Sequence, residues 1–105
     1  MEILCAYATF SDFQEAQKIA NAVVAKKFAA CANIFSPHTA IYQWGDKLNE
    51  HNEIAVLFKT TSDRVDDLIK EIKSMHSYTE PAISTWKVDG GSLSYLNWIV
   101  KQTNR

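Results

Sequence analysis

Three side chains in the sequence, Cys5, Met75 and His76, carry the donor atoms that a soft metal ion prefers. A thiolate, a thioether and an imidazole together favour Cu(I) over hard cations such as Mg²⁺ and Ca²⁺, which take oxygen ligands. The residue types therefore predict a weak copper site, provided that the fold makes the three side chains converge. The other two histidines, His38 and His51, lie in turn regions without a partner at ligand spacing, and we expect both to face solvent.

Each of these candidate ligands also has an ordinary structural role. Free cysteine behaves as a small buried hydrophobe, which fits Cys5 on a strand and is the favoured interpretation for Cys31. Met75 fits the last core position of a helix. His76 follows that helix, and an imidazolium at a helix C-terminus interacts favourably with the helix dipole.

The elements that must position these groups follow from apolar periodicity and turn signals. Alternating or continuous apolar runs predict strands at residues 3–9, 30–35, 40–44, 53–59 and 82–88, the second and third being one interrupted strand. Helical spacing predicts helices that begin at a capping box of Ser11 and Gln14, near Ser62 (ending at Met75) and after Ser92. The order β-α-β-β-α-β plus a terminal helix predicts an α+β, ferredoxin-like fold with an antiparallel sheet.

The sequence contains more large aromatic residues than are needed for a core between two helices and one face of such a sheet. The surplus consists of Tyr42, Trp44, Trp86 and Trp98. A second copy of the chain is the simplest cover for the other face. Aromatic residues are enriched in the cores of oligomer interfaces, so an interface is favoured over a ligand-stacking platform for these four side chains.

Several short motifs follow one another in a characteristic order. They are AACANI at 29–34, YQWGDK with a predicted hairpin turn at 42–47, Glu53 with KTT at 59–61, HSY at 76–78 with Pro81, and YLNW at 95–98. Together, and with nearly matching spacing, they resemble the CutA divalent-cation tolerance family over almost the whole chain.

The resemblance implies a ferredoxin-like subunit in a tight homotrimer, whose long hairpin extends the sheet of a neighbour. It also implies a non-enzymatic protein that takes part in the response to metal ions and binds copper, with Cys5 matching the copper-binding cysteine of relatives. It further places Glu53, Lys59, Tyr78 and Glu80 in a cleft between subunits; a structural ion pair with a tyrosine hydrogen bond is the alternative. A PII-like sensor that binds a small anionic ligand in this cleft is the second functional hypothesis.

Composition excludes several other classes. Eleven basic and twelve acidic side chains leave a net charge of −1, whereas nucleic-acid binding needs a basic excess. The sequence contains no P-loop, dinucleotide-binding, zinc-protease or serine-hydrolase motif. No apolar run approaches the ~18 residues that span a bilayer, and no secretory signal is evident. We therefore expect one domain over residues 1–105, in the cytoplasm, with no organic cofactor and no nucleic-acid or membrane partner.

Overall fold

The computed structural model describes residues 2–104, and the two terminal residues of the domain predicted over 1–105 lie outside the described residues. The elements in chain order are β1 (Ile3–Phe10), α1 (Phe13–Ala25), β2 (Cys31–Ile34), β3 (His38–Trp44), β4 (Lys47–Thr61), α2 (Val65–Met75), β5 (Ile83–Lys87) and α3 (Leu93–Gln102). Across residues 2–104, the helices are too short or too polar to cross a membrane.

The strands form an antiparallel sheet in the order β2-β4-β1-β5, and β3 pairs with β4 off this path. The long strand β4 belongs both to the four-strand path and to the pair with β3. Its residues 54–61 pair with β1, and its residues 47–53 pair with β3. The predicted α+β fold with its terminal helix is confirmed. The predicted interruption between β2 and β3 is also confirmed; it contains Pro37, which has no N–H to donate to a strand ladder.

One face of the sheet packs against α1 and α2. The register sets small residues of β1 opposite larger residues of β4, as in the pairs Ala6–Phe58 and Ala8–Val56. The two helices contribute Ala16, Ile19, Ala20, Val23, Leu68 and Ile72 to this core. Phe13, in the first turn of α1, is 50% exposed and lies outside this core.

The opposite face, here called the open face, carries Ile3, Cys5 and Tyr7 of β1 because side chains alternate along a strand. Helix α3 covers one end of this face: Ile3 packs with Ile99, and the Thr61 hydroxyl lies 3.2 Å from that of Thr103. The terminal helix thus covers one end of the face for which a second copy of the chain is the predicted cover. Leu93, the first residue of α3, is exposed.

The start of α1 differs from the predicted capping box by one residue. Asp12 is the N-cap, and its Oδ1 accepts a hydrogen bond from Glu15 N at 2.8 Å. Glu15 Oε1 accepts from the N–H and hydroxyl of Ser11, the residue before the N-cap, at 3.3 and 3.1 Å. The capping roles predicted for Ser11 and Gln14 are thus performed by Asp12 and Glu15. A carboxylate at each position interacts more favourably with the helix N-terminus than a hydroxyl and an amide do.

Glu15 also ties α1 to the loop after α2, because its Oε2 accepts from Ser77 N at 2.7 Å. Burial alone would raise the Glu15 pKa, but the hydrogen bonds from Ser77 and Ser11 outweigh burial and lower it below the ordinary 4.5. Because the Glu15 pKa is lower in the folded than in the unfolded protein, the charged carboxylate stabilises the fold above the unfolded-state pKa. This stabilisation is lost as the pH falls through the folded-state pKa.

Replacement of Glu15 by glutamine is therefore expected to cost about 1 kcal/mol of unfolding free energy at pH 7, where the parent carboxylate is charged. Urea titrations of both proteins at pH 7 and at successively lower pH measure the difference, which should shrink below pH 4.5. Gln14→Ala, in the adjacent exposed position, is the control. A difference that persists undiminished in acid would contradict the role of the charge.

Strands β3 and β4 continue beyond the sheet as a hairpin, defined here as residues 38–53. Its two-residue turn has Gly45 at φ +64°, a backbone conformation that favours glycine at the first central position of a hairpin turn. Most hairpin side chains are exposed, and the molecule measures 45 × 25 × 23 Å. A two-stranded hairpin is only marginally stable by itself in water, so this segment lacks packing that a second chain would provide.

Candidate functional site

Cys5 lies in the middle of the open face, in a row of side chains that crosses four strands. The strand registers place Cys31, Lys59, Cys5 and Trp86 side by side on β2, β4, β1 and β5. Cys5 is 9% exposed. Burial raises the pKa of its thiol, and the nearby Lys59 ammonium opposes that rise only in part. The thiol is thus held neutral in the absence of a metal ion.

Lys59 separates the two cysteines and is held by its own contacts. Its Nζ donates to Asn33 Oδ1 at 2.8 Å and lies 5.8 Å from the centre of the Tyr95 ring. The Tyr95 hydroxyl is 3.8 Å from Cys31 Sγ. Burial and then the contact with Cys31 raise the pKa of Tyr95. These contacts support the packing interpretation of Cys31.

His76 is bound at both ring nitrogens. Nε2 lies 2.7 Å from the Thr9 carbonyl oxygen, which can only accept, so Nε2 carries the proton. Nδ1 accepts from Tyr78 N at 3.0 Å. The ring stacks on Phe10 with centroids 4.9 Å apart. His76 is therefore a neutral connector between β1 and the loop that follows α2, and neither nitrogen is available to a metal ion.

The predicted grouping of Cys5, Met75 and His76 does not form within one chain. His76 binds β1 at Thr9, four residues from Cys5, a separation of about 13 Å along a strand. Met75 packs against the core beneath α1 and α2, the face opposite Cys5. The donor atoms are chemically compatible, but alternation along β1 places Cys5 on the open face, whereas Met75 at the end of α2 packs on the helical side of the sheet. In residues 2–104, no three His, Cys, Asp or Glu side chains are arranged as a metal site.

A second cluster of polar groups lies at the base of the hairpin, around the carboxylate of Glu53, which is 9% exposed. The Tyr78 hydroxyl donates to Glu53 Oε2 at 3.3 Å, which is the tyrosine hydrogen bond of the structural alternative to the cleft. Glu53 Oε2 also lies 3.3 Å from His51 Nε2, and Oε1 lies 3.8 Å from His38 Nε2. Burial, followed by the Glu53 charge, raises the pKa of Tyr78.

The other two residues assigned to this cleft lie elsewhere in the chain. Lys59 is six residues from Glu53 along β4, about 20 Å away, and contacts Asn33 instead. Glu80 is exposed in the loop before β5. Within one chain, Glu53 and Tyr78 are therefore the two cleft residues in contact, and the anionic-ligand cleft between subunits stays a prediction.

His38 and His51 are functional candidates that could not be recognised from residue type and local spacing. They were expected to face solvent without partners, yet both contact Glu53. The hairpin turn contains the signal: counting back from Gly45-Asp46 pairs His38 with Glu53 and Ala40 with His51. Because His51 and Glu53 are two residues apart on one strand, all three side chains share a face.

The four aromatic residues predicted at an interface are all exposed in the single chain. Trp44 next to the hairpin turn is 74% exposed, and Trp86 on the open face is 48% exposed. Tyr42 is placed against His51, with its hydroxyl 3.2 Å from Nδ1. Trp98 stacks on Tyr95. The chain thus presents two aromatic surfaces, one on the hairpin and one on the open face.

Comparison with known proteins gives consistent matches. The family model described as CutA1 divalent ion tolerance protein matches residues 4–102. The divalent-cation tolerance protein CutA of Pyrococcus horikoshii is 33% identical over 103 residues, covering 98% of this chain and 100% of that protein. The crystal structure of CutA1 from Ehrlichia chaffeensis superposes with a TM-score of 0.94 at 33% identity, covering 99% of this chain and 97% of that one. The structure of the periplasmic divalent cation tolerance protein CutA from Archaeoglobus fulgidus superposes with a TM-score of 0.94 at 34% identity. The match covers 97% of this chain and 99% of that one.

Proposed function

Because the chain belongs to the CutA1 divalent ion tolerance protein family, we propose that it acts as a homotrimer in the response to metal ions, binding copper weakly and catalysing no reaction. The observation that carries the proposal is the unpartnered hairpin together with the exposed aromatic surfaces. A cytoplasmic location suits the two free cysteines, Cys5 and Cys31, since reducing compartments keep thiols reduced. The Archaeoglobus fulgidus relative is, by contrast, named periplasmic.

The trimer is supported by the strands that lack neighbours. Within residues 2–104, β3 pairs with β4 alone and β5 pairs with β1 alone, so each leaves one edge for a further strand. Exposed backbone edges next to Trp44 and Trp86 combine hydrogen-bonding groups with apolar area. Closed cyclic assembly of three chains would cover the edge and the aromatic side chain together.

Copper binding is supported by the chemistry of Cys5. A thiolate is the strongest soft donor that the chain offers, and Cu(I) prefers it to carboxylate or water. Metal coordination deprotonates a thiol outright, which overcomes the raised pKa of Cys5. Because His76 and Met75 face away from Cys5, they do not complete the site within a chain, and the proposal assigns the copper donor role to Cys5 first.

Replacement of Cys5 by serine is expected to weaken Cu(I) binding by at least about tenfold, since the hydroxyl is a poor soft-metal ligand of similar shape. Competition of the reduced protein against a Cu(I) chelator measures the affinity. Cys31→Ser is the matched control and should bind as the parent does, because Cys31 packs against Tyr95. Equal affinity in the parent and in Cys5→Ser would mean that Cys5 serves packing alone.

A further inference from the structure

A lysine stands between two cysteines on the open face. Cys31 of β2 and Cys5 of β1 both lie directly opposite Lys59 of β4 in the sheet register. We propose that a hydroperoxide, with hydrogen peroxide as the representative, converts Cys31 and Lys59 into a covalent and reversible sulfur–nitrogen bridge. This modification site goes beyond the proposed function and is independent of metal binding.

The two cysteines are too far apart to form a disulfide with each other. Because Lys59 lies on the strand between them, they are separated by two strand spacings, about 9.6 Å. A disulfide needs Cα atoms about 4.4–6.8 Å apart. Once the sulfur of Cys31 is oxidised, its nearest nucleophile in this row is therefore an amine and not a second thiol.

The side chain of Lys59 leans towards Cys31 rather than towards Cys5. Its Nζ donates at 2.8 Å to Oδ1 of Asn33, which lies two residues after Cys31 on the same face of β2. Directly opposite residues of antiparallel strands have Cβ atoms about 4.5–5.5 Å apart, which a lysine side chain easily spans. The amine is thus placed on the β2 side of the row.

Tyr95 of α3 is a neighbour of both reacting groups. Its hydroxyl lies 3.8 Å from Cys31 Sγ, and Lys59 Nζ lies 5.8 Å from the centre of its ring. Burial raises the pKa of Tyr95, as does the contact with Cys31, whereas the hydrogen bond and the charge of Lys59 oppose that rise. A cation and a hydroxyl beside a sulfur favour the thiolate, which is the form that reacts with peroxide.

Cys31, and not Cys5, is the thiol that peroxide reaches. Cys31 is half-buried, whereas Cys5 is only 9% exposed. Burial raises the pKa of the Cys5 thiol, and the Lys59 charge opposes that rise only in part. Because oxidation of a thiol follows its exposure and its thiolate character, Cys31 should react first.

The bridge forms in two balanced steps. Cys31 Sγ first attacks one oxygen of hydrogen peroxide: the S–O bond forms, the O–O bond breaks, and the released hydroxide becomes water with the thiol proton. Lys59 Nζ then attacks the sulfur of this sulfenic acid, as nitrogen nucleophiles do. The S–N bond forms and the S–O bond breaks; the hydroxyl leaves as water with one ammonium proton, and a second proton passes to solvent. The sulfur loses two electrons, and the peroxide gains them.

Intact mass spectrometry of the metal-free, full-length protein after treatment with hydrogen peroxide tests this proposal. The bridge removes two hydrogens, so the parent is expected to become lighter by about 2 Da and to regain this mass with dithiothreitol. A digest should contain the peptide of Cys31 joined to the peptide of Lys59. No reaction, or only a mass gain of about 16 Da for each oxygen added to sulfur, would overturn the proposal.

Four variants distinguish the bridge from a disulfide, which would also remove two hydrogens. Cys5→Ser should still become lighter by about 2 Da, as should Lys87→Arg, which alters a lysine of β5 that pairs with Glu2. Lys59→Arg keeps the positive charge but lacks the primary amine, so it should gain oxygen instead, and Cys31→Ser should form no bridge. A mass loss that disappears in Cys5→Ser, or persists in Lys59→Arg, would contradict the bridge. The joined peptides of the parent decide the matter even if a variant fails to fold.

Discussion

Replacement of His76 by alanine is expected to lower the free energy of unfolding by about 3 kcal/mol, because two backbone groups lose their partners at once. The Thr9 carbonyl and the Tyr78 N–H both bond to the ring, at 2.7 and 3.0 Å. The stacked contact with Phe10 is lost as well. Urea unfolding at matched protein concentration measures the change, since assembly makes stability concentration-dependent.

The same variant separates a structural role from a metal-binding role. Because both nitrogens of His76 are already bonded, Cu(I) affinity should stay at the parent value in the folded variant. His38→Ala, which removes a half-exposed imidazole, is the matched control and should cost less than about 1 kcal/mol. A His76 variant as stable as the parent but unable to hold Cu(I) would restore the ligand role predicted from the sequence.

Replacement of Trp86 by glutamate is expected to dissociate the assembly. Trp86 projects from the edge strand β5 onto the open face, beside Cys5, and is 48% exposed in the single chain. A carboxylate buried there in every copy would be unpaired, and desolvating an unpaired charge costs several kcal/mol for each ion. The expected product at micromolar concentration is a species of 11.9 kDa.

Phe13→Glu is the matched control for this prediction. Phe13 is also an exposed aromatic side chain, at 50%, but it lies in the first turn of α1, on the helical side of the sheet. This variant should keep the mass of the parent. If both variants dissociated, or neither did, the open face would not be the interface.

The fold was predictable because its signals are local. Alternation along β1 and β4, helical spacing in α2 and the Gly45 turn each involve residues close in sequence. The predicted helix boundaries were wrong where a tertiary contact decides them. Helix α2 begins at Val65 rather than near Ser62, because the N–H of Ser62 donates to the Glu2 carbonyl. The N-cap of α1 also differs from the predicted residue for a tertiary reason, because Glu15 accepts a hydrogen bond from Ser77 in the loop after α2.

The candidate site was only partly predictable, because chemical compatibility does not imply proximity. Cys5 and His76 are both associated with β1, but they lie at different positions along it and on different sides of the sheet. The pair Glu53 and Tyr78 was anticipated from the family resemblance. The contacts of His38 and His51 with Glu53 could be predicted only from the register of the hairpin, because the register decides which residues of β3 and β4 lie opposite each other.

Light scattering of the parent and of Trp86→Glu at micromolar concentration tests the central claim, that this chain is one subunit of a homotrimer, most directly. The parent is expected at three times 11.9 kDa and the variant at 11.9 kDa. A parent that remains at 11.9 kDa would contradict the homotrimer, because the hairpin and the exposed tryptophans would then have no partner to cover them.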